Sequence, residues 1–205
     1  MKVVLMNASK TQRALQVIRE NGVLRPRDLI PHGIPRHTLR TLRDRGVIER
    51  VGRGLYVLAD TTITEHHSLA EASKRVPRGV ICLLSALSFH GLTTQNPSQV
   101  WMAVDRKGWS PNLDLPFVRL VRFSGPALAH GVELHNIEGV EVKIYSPAKT
   151  VADSFKYRNK IGLDVAMEAL RDCLRQRKAT VDQLLEAAEV CRVARVMRPY
   201  LESLT

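Results

Sequence analysis

The 205-residue chain is short of acidic residues: 20 Asp plus Glu stand against 31 Lys plus Arg, a formal net charge of +11. It is short of cysteine as well. Cys82, Cys173 and Cys191 form no C-x-x-C pair and leave an odd thiol, which argues against a disulfide framework or a cysteine zinc site and for a reducing, cytoplasmic setting. Long hydrophobic runs are missing too. The longest stretch without a formal charge, Gly79 to Val104, contains Thr93-Thr94-Gln95-Asn96-Pro97-Ser98-Gln99 and cannot lie in hydrocarbon as one helix, so no membrane span is expected. The apolar stretch within Met1 to Asn7 is too short for a signal peptide, and nothing directs export.

What is present is an ordinary globular composition, 44% hydrophobic and 25% charged, long enough for one large domain or two small ones. The basic excess is uneven. Residues 1–60 hold 12 Lys plus Arg and 5 Asp plus Glu, whereas residues 61–205 hold 19 and 15. Cationic charge concentrated in one segment is the footprint of a polyanion partner, because neutralising phosphates releases condensed counterions.

The first sixty residues read as helix, helix, turn, helix and hairpin. Ser9-x-x-Gln12 can form a capping box, Ala14, Leu15 and Ile18 share a face, and Asn21-Gly22 supplies a stop. Pro26 opens a short second helix that Pro31 limits, and Pro31-His32-Gly33-Ile34 makes the turn. Pro35 opens a third helix ending at Arg45, with Gly46 capping it. Val47 to Val51 and Leu55 to Leu58 then flank Gly52-Arg53-Gly54 as a hairpin. This order is that of a winged helix-turn-helix.

On the third helix, at about 100° per residue, Leu39 and Leu42 define the buried direction, leaving His37, Arg40, Thr41 and Asp44 outward with Arg36 and Arg43 beside them. Such a helix reads a major groove through its N-terminal residues, which assigns Arg36, His37, Arg40, Thr41 and Arg43 to DNA. Arg53 at the hairpin tip reaches a phosphate or the minor groove, and Arg25 and Arg27 anchor the backbone. Asp44 lies beyond the DNA or orients an arginine.

After a hinge at Thr61-Thr62-Ile63-Thr64 the expected order is a helix from Thr64 to Val76, a buried helix from Val80 to Leu92, and strands Val100 to Val104, Phe117 to Phe123, Val132 to Ile137 and Val140 to Tyr145. His66-His67 is read as exposed or capping, and His90 as a packed histidine. Glu138-Gly139 makes a tight hairpin turn. Glu141, Lys143 and Tyr145 alternate with Val140, Val142 and Ile144, which places them on the open face of a half-buried strand.

Ser146-Pro147 starts a helix on which Lys149 and Asp153, at i,i+4, read as a surface salt bridge. Three further apolar stripes, from Leu163, Val181 and Val193, end the chain in helices; Arg192, Arg195 and Arg198 lie opposite the last of them. The fold class is therefore α+β: a winged helix-turn-helix domain over 1–60 and a mixed α/β domain over 61–205, with a sheet at about 98–145 and helices at about 146–205.

The chain resembles the AbiEi antitoxin family of type IV toxin-antitoxin systems. The resemblance rests on Leu24 to Leu29, Pro35 to Arg40 and Gly46 to Tyr56, and more tellingly on Leu84-Ser85-Ala86-Leu87-Ser88-Phe89-His90-Gly91-Leu92 and on Tyr145 to Gly162. It implies repression of the protein's own promoter by binding double-stranded DNA at inverted repeats. It also implies a C-terminal domain that counteracts a nucleotidyltransferase toxin without needing a stable complex. Lys149, Thr150 and Asp153 are the antitoxin motif positions it points to.

Two other readings compete. Glu141-Val142-Lys143 has the E-x-K spacing of metal-dependent nucleases, which also need a further acidic residue, for which Asp114 is available in a loop. An interaction scaffold would use the winged helix on protein. No P-loop, G-x-S-x-G elbow, dinucleotide fingerprint or His/carboxylate metal motif is present, so a non-enzyme without cofactor is expected.

Overall fold

The computed structural model describes residues 9–52, 54–60, 64–107 and 117–204. The chain forms two compact units, Met1–Lys74 with Asn136–Glu141, and Arg75–His135 with Val142–Thr205. Its class is α+β.

In the first unit, α1 (Lys10–Asn21) begins at the capping box read from the sequence: Ser9 N donates to Gln12 Oε1 at 2.9 Å and Gln12 N to Ser9 Oγ at 3.2 Å. Its buried residues are Ala14, Val17 and Ile18. Pro26–His32 is a 3₁₀ helix that runs through Pro31 rather than turning there, since a tight helix loses only one donor at a proline. Then α2 (His37–Asp44), preceded by Arg36, starts two residues later than its sequence pattern indicates and stops before Gly46 at φ 69°.

Strands β1 (Ile48–Gly52) and β2 (Leu55–Leu58) pair antiparallel, and Leu24 adds a third rung through two backbone bonds with Tyr56, 2.8 and 2.9 Å. Leu29, Leu39, Leu42 and Ile48 join the α1 residues in one core. This is the helix, helix, turn, helix and wing of the sequence reading.

The first unit continues past residue 60, where the winged-helix pattern ends, into α3 (His67–Arg75). One close backbone approach and one set of carboxylate bonds explain why the turn at Asn136–Glu141 belongs with it. Gly22, at φ 60°, lies so close to the Glu138 carbonyl that a Cβ there would sit 1.3 Å from its oxygen. The Glu138 carboxylate in turn accepts from Thr64 N and Thr64 Oγ1, both at 2.8 Å, and meets His67 Nδ1 at 2.7 Å. These bonds hold Thr64 outside the helix, so α3 begins at His67, and His67 has a specific partner rather than solvent.

The second unit is built on a five-stranded sheet in the order β5-β4-β3-β7-β6: β3 (Val80–Ile81), β4 (Val100–Asp105), β5 (Val118–Phe123), β6 (Val132–Ile137) and β7 (Val140–Tyr145). Here β3 corrects the sequence reading of a helix from Val80. Val80 and Ile81 pair antiparallel with Ala103 and Met102, and Ile81 pairs parallel with Ile144. A continuous apolar run does not show by its period where strand gives way to helix; α4 (Leu83–Phe89) follows only after Cys82 in extended conformation. The remaining helices are α5 (Pro126–Ala129), α6 (Pro147–Lys156), α7 (Arg158–Ile161), α8 (Leu163–Arg175), α9 (Val181–Val190) and α10 (Ala194–Glu202).

A second correction concerns α6. Every residue from Ala148 to Phe155 is buried, so Lys149 and Asp153, with side chains 0% and 2% exposed, form an internal pair and not a surface one. Tyr145 is likewise interior rather than on an open strand face: its hydroxyl donates to Leu128 O at 2.7 Å and its ring stacks with Phe123 at 5.8 Å. Neither burial shows in local periodicity, because the covering segments come from elsewhere in the chain. All three cysteines are buried thiols.

Candidate nucleic-acid interface

The exposed face of α2 follows from its apolar one. With Thr38, Leu39 and Leu42 turned into the core, Arg36, His37, Arg40, Thr41, Arg43 and Asp44 are all exposed. Arg36 has no carboxylate partner among the described residues. Arg40 Nε is 3.8 Å from Asp44 Oδ2, with its side chain 80% exposed, a loose pair that a phosphate or guanine edge can replace. Arg43 is held more closely, donating from Nη2 at 2.8 Å and Nε at 3.2 Å to Asp44 Oδ1; this bond raises the guanidinium pKa further. Asp44 thus orients two arginines at the C-terminal end of the helix. Thr41 Oγ1 donates weakly to His37 O at 3.4 Å.

Elsewhere in the first unit, Arg27 is exposed, 3.9 Å from Asp28 Oδ1, while Arg25 is half-buried with its N–H donated to Asp28 Oδ2 at 2.9 Å. Arg53 lies outside the described residues, as do Asp114 and residues 61–63 of the expected hinge. Arg45 and Arg50, which the sequence reading did not single out, are exposed as well; Arg50 Nε donates to Gly52 O at 3.0 Å on the wing.

The motif residues of α6 are a different kind of constellation. Lys149 Nζ donates to Asp153 Oδ2 at 2.5 Å and lies 4.1 Å from the Tyr145 ring centre and 4.8 Å from that of Phe123. Cys191 Sγ donates to Asp153 Oδ1 at 3.3 Å. Burial pushes the Asp153 carboxyl above its ordinary range, against the lowering effect of Lys149 and Cys191; burial and Asp153 push the Cys191 thiol up to about 12.

Thr150 Oγ1 donates to Tyr145 O at 3.1 Å, and His90 Nε2 meets the same carbonyl at 2.7 Å. Burial pushes His90 below its ordinary value, which favours a neutral imidazole with the proton on Nε2. These groups tie α4, β7 and α6 together in the interior. On β7, Glu141 is exposed and Lys143 half-buried; among the described residues no cluster of three His, Cys, Asp or Glu gathers to hold a metal ion.

A helical pair, a turn, an exposed cationic helix and a wing are now in place. Residues 12–59 match the family of transcriptional regulators described as AbiEi antitoxins. The AbiEi match covers α1 through β2 and includes every assigned arginine; the segments at 84–92 and 145–162 that also carried the resemblance lie beyond it. A search of curated proteins finds no match. Over nearly the whole chain the fold is similar to the crystal structure of the RV2827C protein from Mycobacterium tuberculosis, with a TM-score of 0.59 at 12% identity, covering 97% of this chain and 82% of that one. Among the described residues no helix is long and apolar enough to cross a membrane.

Proposed function

We propose that the protein is a DNA-binding transcriptional autorepressor and an antitoxin that counteracts a nucleotidyltransferase toxin in a type IV, cytoplasmic system. The single observation that carries the DNA reading is α2: three inward residues and an outward face bearing Arg36, His37, Arg40, Thr41 and Arg43, inside the segment that matches AbiEi regulators. The N-terminal residues of α2 contact base edges at inverted repeats in the protein's own promoter, Arg25 and Arg27 hold phosphates, and Arg53 extends the contact from the wing. Antitoxicity resides in the second unit. Because Lys149, Thr150 and Asp153 are interior, they serve it by fixing α6 in place, and a toxin-directed effect acts through other, exposed groups.

A mobility-shift titration of the full chain on its own promoter, against a scrambled fragment of equal length, tests the first part. Tighter binding to the promoter than to the scrambled fragment, with an affinity that rises as salt falls, is the expected result; equal affinity for both fragments overturns it. Growth rescue on co-expression with the neighbouring toxin tests the second, and the Arg36→Ala/Arg40→Ala variant should lose promoter binding while still rescuing.

A further inference from the structure

A cleft of about 430 Å³ opens in the second unit where the end of β5 and the turn leading into α5 face the ends of α6 and α9. Four cations line it: Arg106, Arg122, Lys156 and Arg192, all exposed. None of the four has a carboxylate within ion-pair distance among the described residues. The one lining carboxylate among the described residues, Asp153, is already engaged by Lys149 Nζ on one oxygen and Cys191 Sγ on the other. Four like charges converging on a concavity without counter-charge repel one another, and the low-dielectric walls focus their field into the cleft.

Two features of the backbone sharpen this. Arg122 Nη1 donates to Asp105 O at 2.9 Å, which fixes the guanidinium while leaving its other donors free for a ligand. Arg192 follows the end of α9 at φ 57°, where glycine or asparagine is the unstrained choice, so a long cationic side chain is carried there at a conformational cost. The volume is within the range of small-molecule sites, roughly 300–1,000 Å³. A duplex presents its phosphates on a convex surface and cannot reach a floor formed by the 2% exposed Asp153.

We propose that this cleft binds a small anion carrying a diphosphate group, clamped between Arg106 and Arg122 on one wall and Lys156 and Arg192 on the other. The site does not depend on the reading of the winged helix, since it lies outside the segment that matches AbiEi regulators. It also departs from the expectation of a protein without a small-molecule ligand.

Calorimetric titration of the full chain with inorganic pyrophosphate tests the site, with sulfate as the control anion. The expected result is saturable binding at one site that sulfate displaces poorly. Lys156→Gln and Arg192→Asn, the latter keeping a residue that tolerates positive φ, each weaken binding about tenfold without lowering the melting temperature, and Arg36→Ala/Arg40→Ala leaves it intact. Absence of binding at millimolar pyrophosphate overturns the proposal, as does equal competition by sulfate, which marks an adventitious ion only. Should Lys156→Gln and Arg192→Asn weaken non-specific duplex binding while leaving pyrophosphate binding unchanged, the cleft is a nucleic-acid surface and the proposal also fails.

Discussion

Lys149 and Asp153 form an ion pair one helical turn apart inside the second unit, 2.5 Å between Nζ and Oδ2, with both side chains removed from water. Removing one partner leaves a buried charge uncompensated, so Lys149→Met or Asp153→Leu alone should cost about 3–5 kcal/mol in chemical denaturation. The double replacement, which removes both charges, should be milder than either single one. A double variant as destabilised as the sum of the two would show that the pair is not coupled as described.

Glu138 provides the acid-side prediction. Burial raises its carboxyl pKa, but the bonds from His67 and from Thr64 N and Oγ1 together outweigh it, leaving the pKa below the ordinary 4.5. The unfolded state therefore takes up the proton first, and the stabilisation is complete above 4.5 and lost as pH falls through the lower, folded value. Thermal melts followed by circular dichroism across the acid range should show this loss in the parent protein and a flatter profile in Glu138→Gln. An identical slope in both would remove Glu138 from the account.

Gly22→Ala should destabilise the first unit by about 2 kcal/mol or more, because the site needs positive φ and an added methyl meets the Glu138 carbonyl. Gly33→Ala shares the positive φ but faces open space, so it should cost about 1 kcal/mol. Equal losses in the two would mean that the close approach at Gly22 is not rigid.

On DNA, Arg40→Ala should weaken promoter binding by about 1–3 kcal/mol and relax sequence preference, whereas Arg27→Ala should weaken all fragments alike and lower the salt slope by about one. Asp44→Ala, which releases Arg40 and Arg43 from their carboxylate, should raise non-specific affinity. Competition footprints in which Arg40→Ala loses affinity equally at every sequence would move that side chain from bases to backbone.

The winged-helix elements were legible because their signals are local. Ser9-x-x-Gln12 forms the capping box that its spacing announces, and the Leu39 and Leu42 stripe fixes which face of α2 is left outward. What escaped reading depends on distant parts of the chain. The carboxylate that binds Thr64 and His67 lies 74 and 71 positions away. Lys149 and Asp153 have the spacing of any surface pair, and only the helices and sheet packed around α6 make them interior. Within the cationic cleft, Arg122 and Arg192 are seventy positions apart in sequence and carry no shared motif.

The burial of Cys82, Cys173 and Cys191 has a practical side. Desolvation pushes Cys82 well above its ordinary value, Cys173 to about 11 and Cys191 to about 12, so no native thiol is a competent nucleophile near neutral pH. A maleimide dye directed to Glu49→Cys, an exposed position on β1 outside the assigned contacts, therefore labels one position without first stripping the chain of its own sulfhydryls, and its emission gives a real-time readout for the promoter titration.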